Sequence, residues 1–184
     1  TFISPNLGNQ RLLSKKFFLE RQVRVRTPFH IASNIYSVAP MNHRIYGCYS
    51  ERYLEILAKL FAKLGFKRTL TFYGEIGLPE ISNVGETVIV EQDGTKLKKY
   101  TVKPKDLGVK EAKEKDIKTG GKEQNISNFV NILKGKEKGP KADLVAVNAG
   151  ASLYSLEDVK TIEEGTQKAQ EILGNGEAYV KLEK

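Results

Sequence analysis

RIYGCYSERYLEILAKLFAKLGFKRTLTFYG, residues 44–74, predicts two β-strands joined by one helix. Both ends of this stretch are rich in residues that favour β-structure, as is typical of buried strands. Between them, apolar residues recur on one face at helical spacing, and Gly65 supplies a helix stop. The apolar residues of that face are Leu54, Leu57, Ala58, Phe61 and Leu64. Because the connections are short, we expect a βαβ unit with parallel strands.

A β-hairpin is predicted next along the chain. Residues 87–92 form a strand pattern, Asp93-Gly94 is a strong turn signal, and residues 98–102 return antiparallel. Three helical patterns follow, over residues 126–133, 144–153 and 162–173. The predicted fold class is therefore α/β, with a central mixed, partly parallel sheet that includes a hairpin and is covered by helices.

Composition indicates a soluble, folded protein. The 184 residues are 40% hydrophobic and 28% charged, and no apolar run is long enough to span a bilayer, so we expect no membrane partner. A single Cys48 cannot form an internal disulfide. The expected location is therefore the reducing cytoplasm.

The positive charge is concentrated at the start of the chain. Residues 1–30 hold six basic residues and one acidic residue, and the net charge of the whole chain is +8. Such a patch attracts phosphates, either on a small substrate or on a nucleic acid. An absent amino-terminal half that supplies compensating acids explains the excess equally well.

Three stretches carry a family resemblance: VRTPFHI at residues 25–31 leading into YGCY at 46–49, YGEIGLPE at 73–80, and a tail over 120–183. The tail contains GGKEQN, LKG, VNAGASLY and GEAYVKLE in order. Together the three stretches resemble the carboxyl-terminal half of anthranilate phosphoribosyltransferases. The resemblance covers nearly the whole chain and implies the α/β domain found in nucleoside phosphorylases and phosphoribosyltransferases.

The resemblance implies that residues 1–184 are a single α/β domain of a longer protein. The family's amino-terminal helical domain and its loop for phosphoribosyl diphosphate are missing, so the fragment alone is expected to be inactive. The full-length protein is expected to be a homodimer. Its implied reaction transfers phosphoribosyl from phosphoribosyl diphosphate to an aromatic amine such as anthranilate, in tryptophan biosynthesis, while magnesium and basic groups hold the departing pyrophosphate.

The loop at residues 73–80 is the implied magnesium site. The family carries an Asp-Glu pair at its end, whereas this chain has Pro79-Glu80. Magnesium takes oxygen ligands and shares them with substrate phosphates, so Glu80 is the candidate metal ligand. Glu75 contributes only if the loop folds back. The alternative role for Glu80 is an exposed loop carboxylate without a ligand.

Substrate-binding candidates precede residue 41. Where the family has a Gly-Pro pair in its substrate tunnel, this chain has Ser33-Asn34. An arginine that meets the anthranilate carboxylate in the family corresponds to Glu20 in an ungapped count, with Arg21 beside it. Arg26 matches the family directly, either as a substrate ligand or as a tie between loops. No catalytic residue is assigned.

Nucleic-acid binding is the alternative function. Some relatives of this fold lack the full catalytic set and bind nucleic acid through a basic groove. The departures at Ser33-Asn34 and Pro79 and the clustered basic residues favour that alternative, whereas the scarcity of aromatic residues among the charges argues against a single-strand platform. A phosphoribosyltransferase with a different acceptor is a third hypothesis.

The remaining polar residues that stand out are interpreted as structural. His30 and His43 have no metal-ligand spacing, and Cys48 lies in a predicted buried strand. Asn148 lies in a predicted buried helix and is expected to satisfy backbone or partner groups.

Overall fold

The computed structural model describes Ile35 and residues 41–184. The chain divides into two compact units, Thr1–Met41 and Asn42–Lys184. All the elements named below belong to the second unit. That residues 1–184 form one domain stays a prediction.

A mixed four-stranded sheet lies at the centre of the second unit. Its strands are β1 (His43–Gly47), β2 (Arg68–Gly74), β3 (Thr87–Asp93) and β4 (Lys96–Val102), in that spatial order. β1 and β2 are parallel, whereas β2–β3 and β3–β4 are antiparallel. The predicted parallel pair and the predicted hairpin are therefore both confirmed, as is the α/β fold class.

Six α-helices accompany the sheet within residues 41–184. They are α1 (Leu54–Lys63), α2 (Glu114–Ile117), α3 (Lys122–Leu133), α4 (Pro140–Ser155), α5 (Ile162–Gly174) and α6 (Glu177–Leu182). The three helical patterns predicted after the hairpin lie within α3, α4 and α5. Of the helices in this part of the chain, none combines the length and the apolarity needed to cross a membrane.

Helices cover both faces of the sheet. Successive side chains of a strand point to opposite faces, and in β2 Leu70 and Thr71 show the two environments. The Thr71 hydroxyl donates a hydrogen bond to the Leu54 carbonyl of α1 at 3.0 Å. Leu70 instead belongs to the main apolar cluster, which includes Val147 of α4. Leu64, predicted on the buried face of the first helix, is 54% exposed because α1 ends at Lys63.

The main apolar cluster is formed by the sheet, α4, the start of α5 and the segments between them. Its buried members are Leu70, Phe72, Ile81, Ile89, Leu107, Val109, Val147, Ala151 and Ile162. Full burial of a large aliphatic side chain contributes about 1.5–3 kcal/mol. The cluster therefore ties α4 to the sheet and extends to Ile81, in the segment after β2.

α4 and α5 cross in such close contact that no side chain fits between Gly150 and Gly165. A Cβ atom on Gly150 would lie 2.4 Å from the backbone nitrogen of Thr166, and one on Gly165 would lie 2.4 Å from the Gly150 carbonyl oxygen. Since these contacts are with backbone atoms, they hold α4 at a fixed position against α5.

Candidate functional site

The candidate site begins where β2 ends. Because β1 and β2 are parallel, their carboxyl ends share one edge of the sheet, the edge at which open α/β sheets bind ligands. A tight loop follows there: the Gly77 N–H donates to the Gly74 carbonyl at 2.9 Å, and the Gly74 N–H donates to the Leu78 carbonyl at 3.0 Å. Gly77 has a φ of +82°, in the region that favours glycine.

Glu75 holds the base of this loop. Its carboxylate accepts a hydrogen bond from the Glu86 N–H at 3.1 Å, and its own N–H donates to the Glu86 carbonyl at 2.9 Å. These bonds join the beginning of the loop to the residue before β3. Glu75 therefore has a structural role at the loop base.

Pro79 lies directly against the end of β1. A Cβ atom on Gly47 would lie only 1.7 Å from the Pro79 carbonyl oxygen. The absence of a side chain at Gly47 thus allows the loop to reach the position seen here. This contact places the residue before Glu80 against the sheet.

Asn148 of α4 holds the residue after Glu80. Its Oδ1 atom accepts a hydrogen bond from the Ile81 N–H at 3.0 Å, and its Nδ2 atom donates to the Ile81 carbonyl at 2.9 Å. A further bond from Nδ2 reaches the Leu144 carbonyl at 2.9 Å. The expectation that Asn148 satisfies backbone groups is confirmed.

Glu80 is exposed and lines a cavity of about 570 Å³ between the loop, the segment before α3, and the helices α3 and α4. Phe129 and Val145 supply exposed apolar surface to this cavity, and Lys141 supplies an ammonium group. Among the described residues, Glu80 accepts no hydrogen bond and forms no ion pair. Its carboxylate is therefore available to bind a cation or a donor group.

The described residues do not complete a metal site by themselves. No group of three or more His, Cys, Asp or Glu side chains within residues 41–184 has the arrangement to hold a metal ion. Magnesium, however, is commonly bound through one or two carboxylates together with water and substrate phosphates. A free carboxylate on a loop anchored on both sides fits one such ligand.

The other substrate-binding candidates, Arg21, Arg26, Ser33 and Asn34, lie outside the described residues, and their roles stay predictions. The same holds for His30. The site residues that can be placed are therefore those of the loop and of the helices around it.

His43 and Cys48 have structural environments. The His43 Nδ1 atom lies 2.6 Å from the Ser155 carbonyl oxygen, and since a carbonyl only accepts, this nitrogen carries the proton and donates. Cys48 is 2% exposed, and burial raises the pKa of its thiol to about 12. A thiol that stays protonated is a poor nucleophile, which confirms the interpretation of Cys48 as a core residue.

A second polar cluster, which the sequence patterns did not indicate, lies at the opposite end of β2. The guanidinium of Arg68 donates to the Glu91 carboxylate at 3.0 and 2.6 Å, and the hydroxyls of Tyr100 and Tyr154 each donate to it at 3.1 Å. Burial raises the pKa of both phenols, which therefore remain donors. Arg68 is the first residue of β2, and the last residue of that strand, from which the Glu80 loop continues, lies about 20 Å away. Because the cluster is this far from the candidate site, we interpret it as structural.

Comparison with protein families and curated proteins gives a consistent result. A family model described as glycosyl transferase family, a/b domain, matches residues 9–179. The chain is 36% identical over 176 residues to the anthranilate phosphoribosyltransferase of Clostridium beijerinckii, covering 96% of this chain and 51% of the relative. It is 33% identical over 164 residues to that of Persephonella marina, covering 89% and 48%. The chain thus spans about half the length of the curated relatives it matches.

Solved structures agree with this result. Anthranilate phosphoribosyltransferase from Thermus thermophilus is 35% identical with a TM-score of 0.81, covering 89% of this chain and 48% of that protein. The Saccharomyces cerevisiae enzyme in complex with PRPP and Mg is 25% identical with a TM-score of 0.81, covering 95% and 49%.

Proposed function

Because this chain belongs to the glycosyl transferase family, as its α/β domain, we propose that its full-length protein is an anthranilate phosphoribosyltransferase. In that reaction a phosphoribosyl group passes from phosphoribosyl diphosphate to the aromatic amine anthranilate, in tryptophan biosynthesis. Relatives of that name that match most of this chain support the assignment. The observation that carries the proposal is the exposed Glu80 carboxylate at the carboxyl end of the parallel strand pair.

We infer that Glu80 is the chain's ligand to a magnesium ion. A bound ion supplies the positive charge that stabilises the departing pyrophosphate. Glu80 would help to hold that ion at the mouth of the cavity, while Gly47 and Asn148 keep the loop in place. Phe129 and Val145 add apolar surface to the wall of this cavity. The relative in complex with PRPP and Mg supports the involvement of magnesium.

We further infer that residues 1–184 are the α/β part of a longer cytoplasmic protein that forms a homodimer. The half-length match to the curated relatives supports the inference that other parts of the protein complete the substrate site. In that arrangement Arg21, Arg26, Ser33 and Asn34 are proposed to contribute to substrate binding.

The test is an assay of the full-length protein for the loss of anthranilate fluorescence in the presence of phosphoribosyl diphosphate and Mg²⁺. We expect turnover, and we expect Glu80→Ala to raise the Mg²⁺ concentration needed for half-maximal activity by at least about tenfold. Glu171→Ala is the matched control because Glu171 is an exposed carboxylate on α5, away from the cavity. An inactive wild-type protein at every Mg²⁺ concentration would refute the enzyme assignment.

Nucleic-acid binding is the second candidate function. It is favoured by the six basic residues and one acidic residue within residues 1–30, because phosphate contacts supply most of the affinity that does not depend on sequence. A titration of the full-length protein with single- and double-stranded DNA at several salt concentrations tests it. Binding whose logarithm falls steeply with the logarithm of salt supports this candidate, and absence of binding at low salt contradicts it.

A further inference from the structure

The side chain of Asn148 is fully engaged by backbone groups. Its carbonyl oxygen accepts from the Ile81 N–H, and its amide nitrogen donates to the Ile81 and Leu144 carbonyls, with all three distances between 2.9 and 3.0 Å. The orientation of the amide is determined by these partners, because an N–H requires an acceptor and a carbonyl requires a donor. A single side chain thus satisfies both polar groups of Ile81.

Ile81 is the point at which the loop enters the core. It is 0% exposed and belongs to the main apolar cluster. Buried backbone groups that lose their partners cost about 1–3 kcal/mol each, so the two bonds from Asn148 are needed to keep Ile81 in this place. The residue immediately before it is Glu80.

Glu80 depends on its neighbours for its position. Since no described residue donates a hydrogen bond to its carboxylate, the contacts that position Glu80 within residues 41–184 are those of the backbone on either side. Pro79 lies against Gly47 on one side, and Asn148 binds Ile81 on the other. Asn148 thus provides the anchor on the helix side.

The helix that carries Asn148 is itself held firmly. Gly150, two residues further along α4, contacts the backbone of α5 at Gly165 and Thr166. On its other side α4 contributes Val147 and Ala151 to the main apolar cluster. Asn148 therefore connects the tightly packed helix α4 to the loop segment that carries the exposed Glu80 carboxylate.

We propose that Asn148 is a positioning residue for the cation-binding carboxylate of Glu80. This proposal rests on the proposed function, because it takes Glu80 as a magnesium ligand. It adds the side chain that determines the position of that ligand. Partners that orient metal ligands typically contribute 10- to 100-fold to metal affinity. Loss of the Asn148 bonds should therefore weaken cation binding without any change in the ligand itself.

The experiment compares wild type, Asn148→Leu, Asn148→Ala and the control Ser152→Ala in the full-length protein. Asn148→Leu and Asn148→Ala both remove all three bonds, and the alanine does so with a smaller side chain. Ser152 lies one turn further along α4 and bonds only to the Asn148 carbonyl, so its replacement perturbs the same helix without touching Ile81. Mn²⁺ binding is measured by electron paramagnetic resonance, and exchange of the Ile81 amide proton is measured by NMR.

We expect Asn148→Leu to weaken Mn²⁺ binding by about tenfold or more and to speed Ile81 exchange, with Ser152→Ala unchanged in both. Asn148→Ala is expected to change both quantities in the same direction and serves if the leucine variant does not fold. Wild-type Mn²⁺ affinity in a folded Asn148 variant would overturn the positioning role while leaving the metal site intact. A wild-type protein that binds no Mn²⁺ would overturn both the metal site and the positioning role, and turnover of that protein would be judged separately.

Discussion

Gly47→Ala should displace the Glu80 loop by steric contact alone. The added Cβ atom would lie 1.7 Å from the Pro79 carbonyl oxygen and 2.4 Å from its carbonyl carbon, although Cβ contacts under 3.0 Å essentially never occur. Pro79 must therefore move by more than about 1 Å, because the obstructing atoms are backbone and not the end of a flexible side chain. Gly47 does not require a positive φ, so the alanine causes no additional backbone strain.

The magnitude follows from the size of this displacement. Overpacking of this kind lowers the free energy of unfolding by about 1–3 kcal/mol. A shift of about 1 Å in a group that positions the reacting atoms reduces the rate by about 100-fold. We therefore expect kcat/KM of the full-length protein, measured by anthranilate fluorescence at limiting Mg²⁺, to fall by about that factor.

Gly174→Ala is the matched control, since a Cβ atom at the end of α5 would meet no atom within 4 Å. It should leave both kcat/KM and the urea midpoint close to the wild-type values. Wild-type kcat/KM and Mg²⁺ dependence in Gly47→Ala would refute the reasoning, even if stability fell, because the loop would then reach its working position without the close contact seen here.

Three other predictions concern stability and reactivity. Glu91→Ala should lower the free energy of unfolding by about 1–3 kcal/mol in urea titrations, because the half-buried Arg68 guanidinium then keeps only the exposed Glu157, at 3.8 Å, among the described carboxylates; an unchanged free energy of unfolding would contradict this. Gly165→Ala should lower the thermal midpoint, because its Cβ atom would lie 2.4 Å from the Gly150 carbonyl oxygen, and an unchanged midpoint would show that α4 and α5 can separate freely. Cys48, with a thiol pKa of about 12, should resist iodoacetamide at pH 8 until the protein is unfolded. Because the folded state holds this proton more tightly than the unfolded state, the Cys48 contribution to stability should decline as pH rises above the ordinary thiol pKa.

The secondary structure was largely predictable because its signals are local. The helical spacing of apolar residues in α1 and the Asp93-Gly94 turn depend only on neighbours within a few positions. α6 was not predicted, since six residues give too short a pattern for its period to be recognised. The exposure of Leu64 was missed because periodicity indicates a face but not the residue at which a helix ends.

The metal ligand candidate was found through a motif resemblance, and the structure adds how that residue is held. Glu80 lies in a contiguous stretch that is visible in the sequence. The Asn148 anchor joins residues 67 positions apart, and the Gly47 contact joins the end of β1 to the loop after β2, which the parallel pairing of β1 and β2 brings together. Neither of these two contacts can be recognised from a short segment of the sequence.

Residue order alone was sufficient for the strand–helix–strand unit, the hairpin and the identity of the loop, because periodicity, turn chemistry and contiguous motifs are properties of short segments. The anchors of Glu80, the half-buried Arg68–Glu91 pair and the contact between α4 and α5 were decided only by the tertiary structure. They are contacts between distant segments, and their hydrogen bonds of 2.6 to 3.0 Å and close backbone approaches depend on how every element between those segments is packed.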